Sequence, residues 1–86
     1  MDKFEAFQLV RDFAQKHLSF GVNEEIQEKF AEVLQAYVES LSPEERNLGS
    51  VIMVDGKRVF IRRSDYPKIV KKDPKIAERL LQAFSR

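Results

Sequence analysis

The chain has 86 residues and a net charge of +1, with 43% hydrophobic and 34% charged residues, which predicts one compact globular domain over residues 1–86. It contains no cysteine and a single histidine, so disulfides, thiolate metal sites, cysteine nucleophiles and multi-histidine metal centres are excluded. The longest apolar run, Val51–Val54, is four residues, far short of the ~20 that span a membrane.

The first predicted element is a helix over about residues 3–18. Asp2 followed by Glu5 has the spacing of a capping box, in which two side chains satisfy free backbone N–H groups at a helix start. Gly21 ends the segment, because glycine most readily adopts the left-handed conformation that follows a helix. The apolar arc is wide enough to predict contact with more than one neighbouring element. It contains Phe4, Phe7, Val10, Phe13, Ala14 and Leu18.

A second helix over about 24–41 and a short third helix over about 43–47 follow. Asn23 is the expected N-cap of the second helix, and the short connection before it predicts that the first two helices pack as an antiparallel pair. Ser42 followed three residues later by Glu45 is a capping-box signal for the third helix. The apolar stripe of the second helix comprises Ile26, Phe30, Val33, Leu34, Tyr37, Val38 and Leu41.

The period of the apolar pattern then changes to two, which predicts a β-hairpin over about 51–62. The dipeptide Asp55-Gly56 supplies the two positive φ angles that a type I′ turn requires. This turn sets the register of the two strands. The expected pairs are Val51 with Phe60, Ile52 with Val59, and Met53 with Arg58.

Both faces of this hairpin are partly apolar. Because a lone two-stranded ribbon is only marginally stable in water, helices or further strands must cover it. A free strand edge can also pair with the same edge of a second copy, so we expect a homodimer. One face carries Ile52, Val54, Val59 and Ile61. The other carries the candidate dimer contacts Val51, Met53 and Phe60, flanked by Arg58 and Arg62.

Two helical segments are predicted after the hairpin, over about 67–72 and 74–85. The residue before Pro67 avoids the α region, and Asp73 followed by Pro74 is a cap-plus-proline start. The predicted fold is therefore a mostly helical α+β domain. It has an N-terminal antiparallel helix pair, a short helix, a β-hairpin with an Asp-Gly turn, a short helical segment and a C-terminal helix.

Charge is divided unevenly along the chain. Residues 1–48 carry a net charge of −5 and residues 49–86 one of +6. Arg58 and Arg62 share a strand face with Phe60 between them, a pattern that could hold phosphates while the ring stacks on a base. The alternatives are that Phe60 belongs to the core, or that the two halves neutralise each other within one chain or between subunits. The candidate binding surface comprises Lys57, Arg58, Phe60, Arg62, Arg63, Lys68, Lys71, Lys72 and Lys75.

No residues are spaced for catalysis or for holding a metal or cofactor. His17 lies on the apolar face of the first helix with no orienting carboxylate, so we interpret it as a semi-buried structural histidine. The ladder of Glu24, Glu28 and Glu32 lacks the loop and the ligand count of a calcium site, so we interpret it as a solvated face. We therefore predict no catalytic residue, no cofactor and no metal.

These observations favour a small non-enzymatic interaction or regulatory module that acts through a protein surface, such as an adaptor, an inhibitor or an antitoxin-like partner. The alternative is a nucleic-acid-binding protein that uses the basic hairpin and the C-terminal helices. The expected partners are a protein, a second copy or nucleic acid, with no membrane and no evident small-molecule substrate. No apolar segment follows Met1, so we expect no secretion signal and, with no cysteine, a cytoplasmic location.

Overall fold

The computed structural model describes all 86 residues and confirms the mostly helical α+β fold. Its helices are α1 (Lys3–His17), α2 (Glu24–Glu39), α3 (Pro43–Asn47), α4 (Tyr66–Lys72) and α5 (Pro74–Phe84). Its strands are β1 (Gly49–Val54) and β2 (Lys57–Arg62), which form one antiparallel hairpin. Short 3-10 turns follow α1 at Leu18–Phe20 and β2 at Arg63–Asp65.

Side-chain caps begin the first three helices, but one of them differs from its prediction. Ser42 and Glu45 form a complete capping box: the Ser42 hydroxyl accepts from the Glu45 N–H at 3.2 Å, and the Glu45 carboxylate accepts from the Ser42 N–H at 3.0 Å. Asn23 caps α2 as expected. The box predicted at Asp2 and Glu5 is only half formed. The Asp2 carboxylate accepts from the Glu5 N–H at 2.9 Å, whereas the exposed Glu5 side chain returns no bond.

Five boundaries also differ from the predicted ones by one or two residues. Helix α1 ends at His17 and helix α5 at Phe84, each one residue early. Helix α2 ends at Glu39, two residues early, because the N–H of Leu41 bonds to a carbonyl only three residues back and Ser42 already caps the next helix. Helix α4 includes Tyr66, one residue before the predicted start. Strand β1 begins at Gly49, two residues before the predicted hairpin. The cap and turn signals in the sequence thus predicted the bounds of each element to within about two residues.

Helices α1 and α2 form the predicted antiparallel pair. Phe13 stacks on Phe30 with ring centroids 5.6 Å apart, and Phe7 contacts Tyr37 with centroids 6.0 Å apart. Phe7, near the start of α1, thus contacts a residue near the end of α2, and Phe13, later in α1, contacts a residue nearer the start of α2. The two helices therefore run antiparallel. Leu34 lies between these aromatic contacts on α2 and is fully buried.

The Phe84 ring at the end of α5 completes the core. Its centroid lies 6.0 Å from Phe7, 6.1 Å from Tyr37, 6.0 Å from Tyr66 and 6.4 Å from Phe30. Three of these contacts have the edge-to-face geometry that the aromatic quadrupole favours. Side chains from α1, α2, α4 and α5 thus meet around one ring.

The buried line of α1 differs from the predicted apolar arc. Its fully buried residues are Ala6, Val10 and Ala14, whereas the predicted Phe4, Phe7 and Leu18 are exposed. Small side chains on this line let α2 and α5 both approach α1, so the predicted contact with more than one element is confirmed. Phe4 lies in the first turn, at the end of that contact line, where it stays outside the core.

Gln27 is the buried polar side chain of the core. Its amide donates to the carbonyl of Val70 at 3.0 Å and to that of Lys71 at 3.4 Å. These carbonyls belong to the last turn of α4, where backbone acceptors have no partner within the helix. Gln27 therefore joins α2 to the end of α4, and no buried side-chain polar atom in the molecule lacks a partner.

The hairpin has the predicted register and turn. Val51 pairs with Phe60, and the same register pairs Gly49 with Arg62. Asp55 and Gly56 have φ angles of 51° and 79°, as a type I′ turn requires.

Gly49 permits the close approach of the two strands at the open end of the hairpin. A Cβ atom at this position would overlap the carbonyl oxygen of Ile61 and lie 2.9 Å from the Cα atom of Arg62. Both are backbone atoms of β2, so a side-chain rotation cannot relieve the overlap. Glycine is therefore required here by the opposite strand.

We predict that Gly49→Ala lowers the free energy of unfolding by about 1–3 kcal/mol, because overlap with backbone atoms forces the strands apart. The neighbouring substitution Ser50→Ala is the matched control and should change it by less than about 0.5 kcal/mol. Urea denaturation followed by circular dichroism measures both. Equal stability of Gly49→Ala and the wild type would contradict the close approach.

Candidate interaction surface on the hairpin

The two faces of the hairpin have different surroundings. The inner face, which includes Ile52, Val59 and Ile61, packs against the helices, and Ile61 is only 1% exposed. The opposite side, called the outer face below, has no element over it. Its residues are Gly49, Val51 and Met53 of β1 and Arg58, Phe60 and Arg62 of β2.

The outer face presents an apolar centre to solvent. Val51 is 58% exposed, Met53 48% and Phe60 59%. Val51 and Phe60 are a directly opposed cross-strand pair, so their side chains lie side by side. All three predicted dimer contacts are therefore brought together on one exposed surface. The prediction that Phe60 belongs to the core, which was the alternative interpretation, is wrong.

Two positive charges flank this apolar centre without a carboxylate beside them. Arg58 is the cross-strand partner of Met53, and Arg62 is that of Gly49. The ion pairs of the molecule involve neither arginine: they join Lys3 to Glu45, Lys29 to Glu25, and Lys75 to Asp55. The outer face therefore combines exposed apolar area with unpaired positive charge.

The backbone of β2 is unpaired along its outer edge. The N–H of Arg63 donates to the carbonyl of Leu48 at 2.9 Å, which marks that pair as hydrogen-bonded. Because hydrogen-bonded and non-hydrogen-bonded pairs alternate along an antiparallel ladder, Arg58, Phe60 and Arg62 hold non-hydrogen-bonded positions. Their N–H and C=O groups point away from β1. We call this row of backbone groups the β2 edge.

The β2 edge is also accessible. The helix beside the hairpin is α5, and it lies on the β1 side, where Lys75 bonds Asp55 in the turn at 2.8 Å. Arg58 and Phe60 form no backbone hydrogen bond with a helix or loop, whereas the carbonyl of Arg62, the N-cap residue, begins the 3-10 turn Arg63–Asp65. The side chains of Arg58, Phe60 and Arg62 are all exposed.

The remaining predicted basic residues do not form one surface with these arginines. Lys68 and Lys71 of α4 line a groove with Glu32 of α2. Lys71 also lines a second groove with Glu24 and Glu28. The acidic ladder of α2 is exposed, as expected for a solvated face, and the basic side of α4 lies next to it. Charges of opposite sign thus face each other within one chain at this helix pair.

The other basic side chains are dispersed. Lys75 is paired with Asp55, which raises the pKa of the lysine by hydrogen bonding and by Coulombic attraction. Lys57 is exposed beside the turn, and Lys72 is exposed at the end of α4. Arg63 is half-buried at the end of the hairpin.

Arg63 belongs to an aromatic groove that the sequence pattern did not reveal. The groove has a volume of about 220 Å³ and lies between the hairpin and the ends of α1, α2 and α5. Arg63 also lines an adjoining apolar groove with Lys3, Phe4 and Glu45. The residues come from distant parts of the chain, so only tertiary structure brings them together. The first groove is lined by Phe7, Tyr37, Ser50, Ile52, Arg63, Tyr66, Leu80, Ala83, Phe84 and Arg86.

Two ionisable groups around these grooves have shifted pKa values. Burial raises the pKa of Tyr37, and the nearby positive charge of Arg63 acts in the opposite direction. The pKa of Glu45 is lowered to about 2, first by its hydrogen bond from Lys3 at 2.8 Å and then by its bonds from Ser42. Glu45 thus links the start of α3 to the first turn of α1.

His17 shows none of the partners that acid–base chemistry would need. It is half-buried at the end of α1, and its ring lies 4.3 Å from that of Phe13. No carboxylate orients it by a hydrogen bond or an ion pair. No group of three or more histidine, cysteine, aspartate or glutamate side chains is placed to hold a metal ion.

Comparison of the chain with protein-family models, with curated proteins and with solved structures gave no significant match. None of the helices combines the length and the hydropathy needed to cross a membrane. Function must therefore be inferred from the chemistry of the molecular surface.

The Lys3–Glu45 pair predicts a pH-dependent contribution to stability. Because the pKa of Glu45 is lower in the folded chain than its ordinary value of 4.5, the contribution is complete above that value and disappears as the pH falls toward about 2. Glu45→Gln removes the charge but keeps a side chain that can complete the capping box. We expect its melting temperature to lie below that of the wild type near neutral pH and to converge with it at about pH 2.

The matched control is Glu44→Gln, which changes an exposed neighbour that has no ion pair. Its melting temperature should follow that of the wild type across the same titration. A constant difference between Glu45→Gln and the wild type at every pH would show that the charge of Glu45 does not contribute.

Proposed function

We propose that this protein is a small non-enzymatic interaction or regulatory module that binds another protein through the outer face of its hairpin. The observation that carries the proposal is the exposed centre of Val51, Met53 and Phe60 with Arg58 and Arg62 beside it. Aromatic residues, methionine and arginine are the types enriched at protein interfaces. An adaptor, an inhibitor and an antitoxin-like partner are the forms of such a module that fit a chain of this size.

Apolar burial supplies the driving force for this interaction. Covering a side chain such as phenylalanine, valine or methionine contributes about 1.5–3 kcal/mol when it becomes fully buried. Three such side chains adjoin on the outer face, and the two arginines give them a polar rim. Contacts of this kind concentrate binding energy at a few central residues, and truncating one of them weakens the whole interface.

The proposal predicts that Phe60→Asp abolishes partner binding without unfolding the chain, because it removes the central apolar side chain and replaces it with a carboxylate that would lose its water when the partner covers it. The matched control is Phe20→Asp, which changes a phenylalanine outside the hairpin that is 79% exposed. Affinity purification from cells, quantified by mass spectrometry, compares both variants with the wild type. A partner retained by the wild type and by Phe20→Asp but lost from Phe60→Asp is the expected result. Equal retention by all three would contradict the proposal.

We propose a second copy as the alternative protein partner, because Gly49, Val51 and Met53 on the β1 side of the outer face carry no charge that would repel the same face of another copy. In that case the wild type is a dimer in light scattering, and Met53→Asp or Phe60→Asp is a folded monomer. If the wild type is a monomer, the outer face binds a different protein.

A nucleic acid is the second candidate partner, and it is favoured by the exposure of Arg58, Phe60 and Arg62 on one strand face. For this case we predict that replacing both arginines by glutamine lowers the dependence of affinity on salt by about two units of logarithmic slope. Fluorescence anisotropy of labelled single-stranded RNA and duplex DNA at about 50 and 200 mM salt measures that slope. The control replaces Arg11 and Lys16 of α1 by glutamine. If both double variants behave alike, the outer face is not a nucleic-acid site.

A further inference from the structure

We propose that the partner binds as an extended acidic strand, which pairs with the β2 edge and extends the hairpin to three strands. This inference rests on the proposed function and names the chemistry of the partner. The segment of the partner that pairs with β2 has the alternating pattern acidic–x–apolar–x–acidic, where x is any residue. The three observations that support it are the free backbone of β2, the alternation of its side chains and the unpaired arginines.

The first observation concerns hydrogen bonding. Arg58 and Phe60 each direct one N–H and one C=O away from β1, and Arg62 adds one N–H, since its carbonyl begins the following 3-10 turn. The β2 edge thus offers donors and acceptors in alternation along one line. An extended peptide satisfies both kinds of group at once, which is the basis of recognition by strand addition. Phosphates are acceptors only and would leave the carbonyls of the edge without partners. The edge therefore favours a polypeptide backbone over a phosphate backbone.

The alternation of side chains along β2 determines which side chains of the partner lie on the same side as the outer face. Residues directly opposite one another on neighbouring antiparallel strands place their Cβ atoms about 4.5–5.5 Å apart on the same side of the sheet. Three alternate residues of the incoming strand therefore lie beside Arg58, Phe60 and Arg62. The two residues between them point to the inner side, next to Val59 and Ile61.

The third observation is charge complementarity. Neither Arg58 nor Arg62 forms an ion pair within the chain, so an incoming strand with carboxylates opposite both arginines gains two ion pairs. Phe60 lies between them, and an aliphatic residue opposite it extends the apolar centre formed with Val51. These three positions define the acidic–x–apolar–x–acidic pattern.

The same geometry disfavours a second copy at the β2 edge. If β2 paired with β2 of another copy about a two-fold axis at Phe60, Arg58 of each copy would lie opposite Arg62 of the other. Like charges in directly opposed positions destabilise a strand pair. The β2 edge is therefore suited to a partner of opposite charge.

A synthetic peptide of sequence TETVTET carries the pattern and serves as the probe. With a fluorescein label, it should bind the wild type in an anisotropy titration, and its lysine counterpart TKTVTKT should bind at least about tenfold more weakly. The double substitution Arg58→Glu with Arg62→Glu should reverse this preference, so that the lysine peptide binds and the glutamate peptide does not. The scrambled peptide TTEEVTT keeps the charge but loses the alternation, and it should bind as weakly as the lysine peptide.

Backbone pairing is tested on the unchanged protein. Methylating the peptide nitrogens that face the β2 edge should abolish binding, since each methyl group removes a donor and obstructs the approach of the strand. Hydrogen exchange of the Arg58, Phe60 and Arg62 amides should slow when the unmodified peptide is added. Equal binding of the methylated peptide would overturn strand addition.

The remaining outcomes separate this inference from the proposed function. If none of the peptides binds while the Phe60-dependent partner is still retained, the acidic strand is wrong and the interaction module stands. If those amides are protected in the wild type alone and light scattering shows a dimer, a second copy occupies the edge and the inference fails. Displacement of a bound peptide by single-stranded RNA at equal charge concentration would assign the edge to nucleic acid instead.

Discussion

A two-stranded hairpin cannot stand alone in water, and the rest of this structure follows from that constraint. One face must be buried, and the inner face, centred on Ile61, packs on the helices. The helices in turn meet around Phe84, so the same aromatic core that joins them also supports the strands. With the helical layer on one side only, the other side of the hairpin stays in solvent. The candidate site is therefore the part of the sheet that this fold leaves uncovered.

Local signals in the sequence predicted most of the fold. The capping residues Asn23 and Ser42, the Asp55-Gly56 turn and the change of apolar period act over a few neighbouring positions, so they can be interpreted without tertiary structure. The predictions were wrong where contacts between distant parts of the chain determine burial or an element boundary. Phe4 matched the apolar period of α1 yet is exposed, because it lies in the first turn, beyond the contacts that Phe7 and Phe13 make with α2. The start of β1 at Gly49 depends on the backbone of the opposite strand.

The candidate site was predictable in part for the same reason. The turn type determined the register, and the register placed Phe60 between two arginines on one face. Which face the helices cover could not be derived from the pattern, since both faces are apolar. The distribution of charge over the surface likewise could not be derived from the sequence alone. Lys75 is paired with Asp55, and Lys71 lies beside the acidic side of α2. The basic half of the sequence therefore does not form one basic surface.

The positions of Arg58 and Arg62 also bear on how the chain avoids aggregation. The contact between Phe7 and Phe84 joins residues from opposite ends of the sequence, so the core is completed only after a large loop has closed. The turn of the hairpin is local in sequence, so its two strands can come together transiently, though not stably, while the helices are still undocked. An apolar strand edge exposed at that stage would pair readily with the same edge of another copy. Positive charges at both ends of the β2 edge make such encounters repulsive, which is a common way for edge strands to resist aggregation.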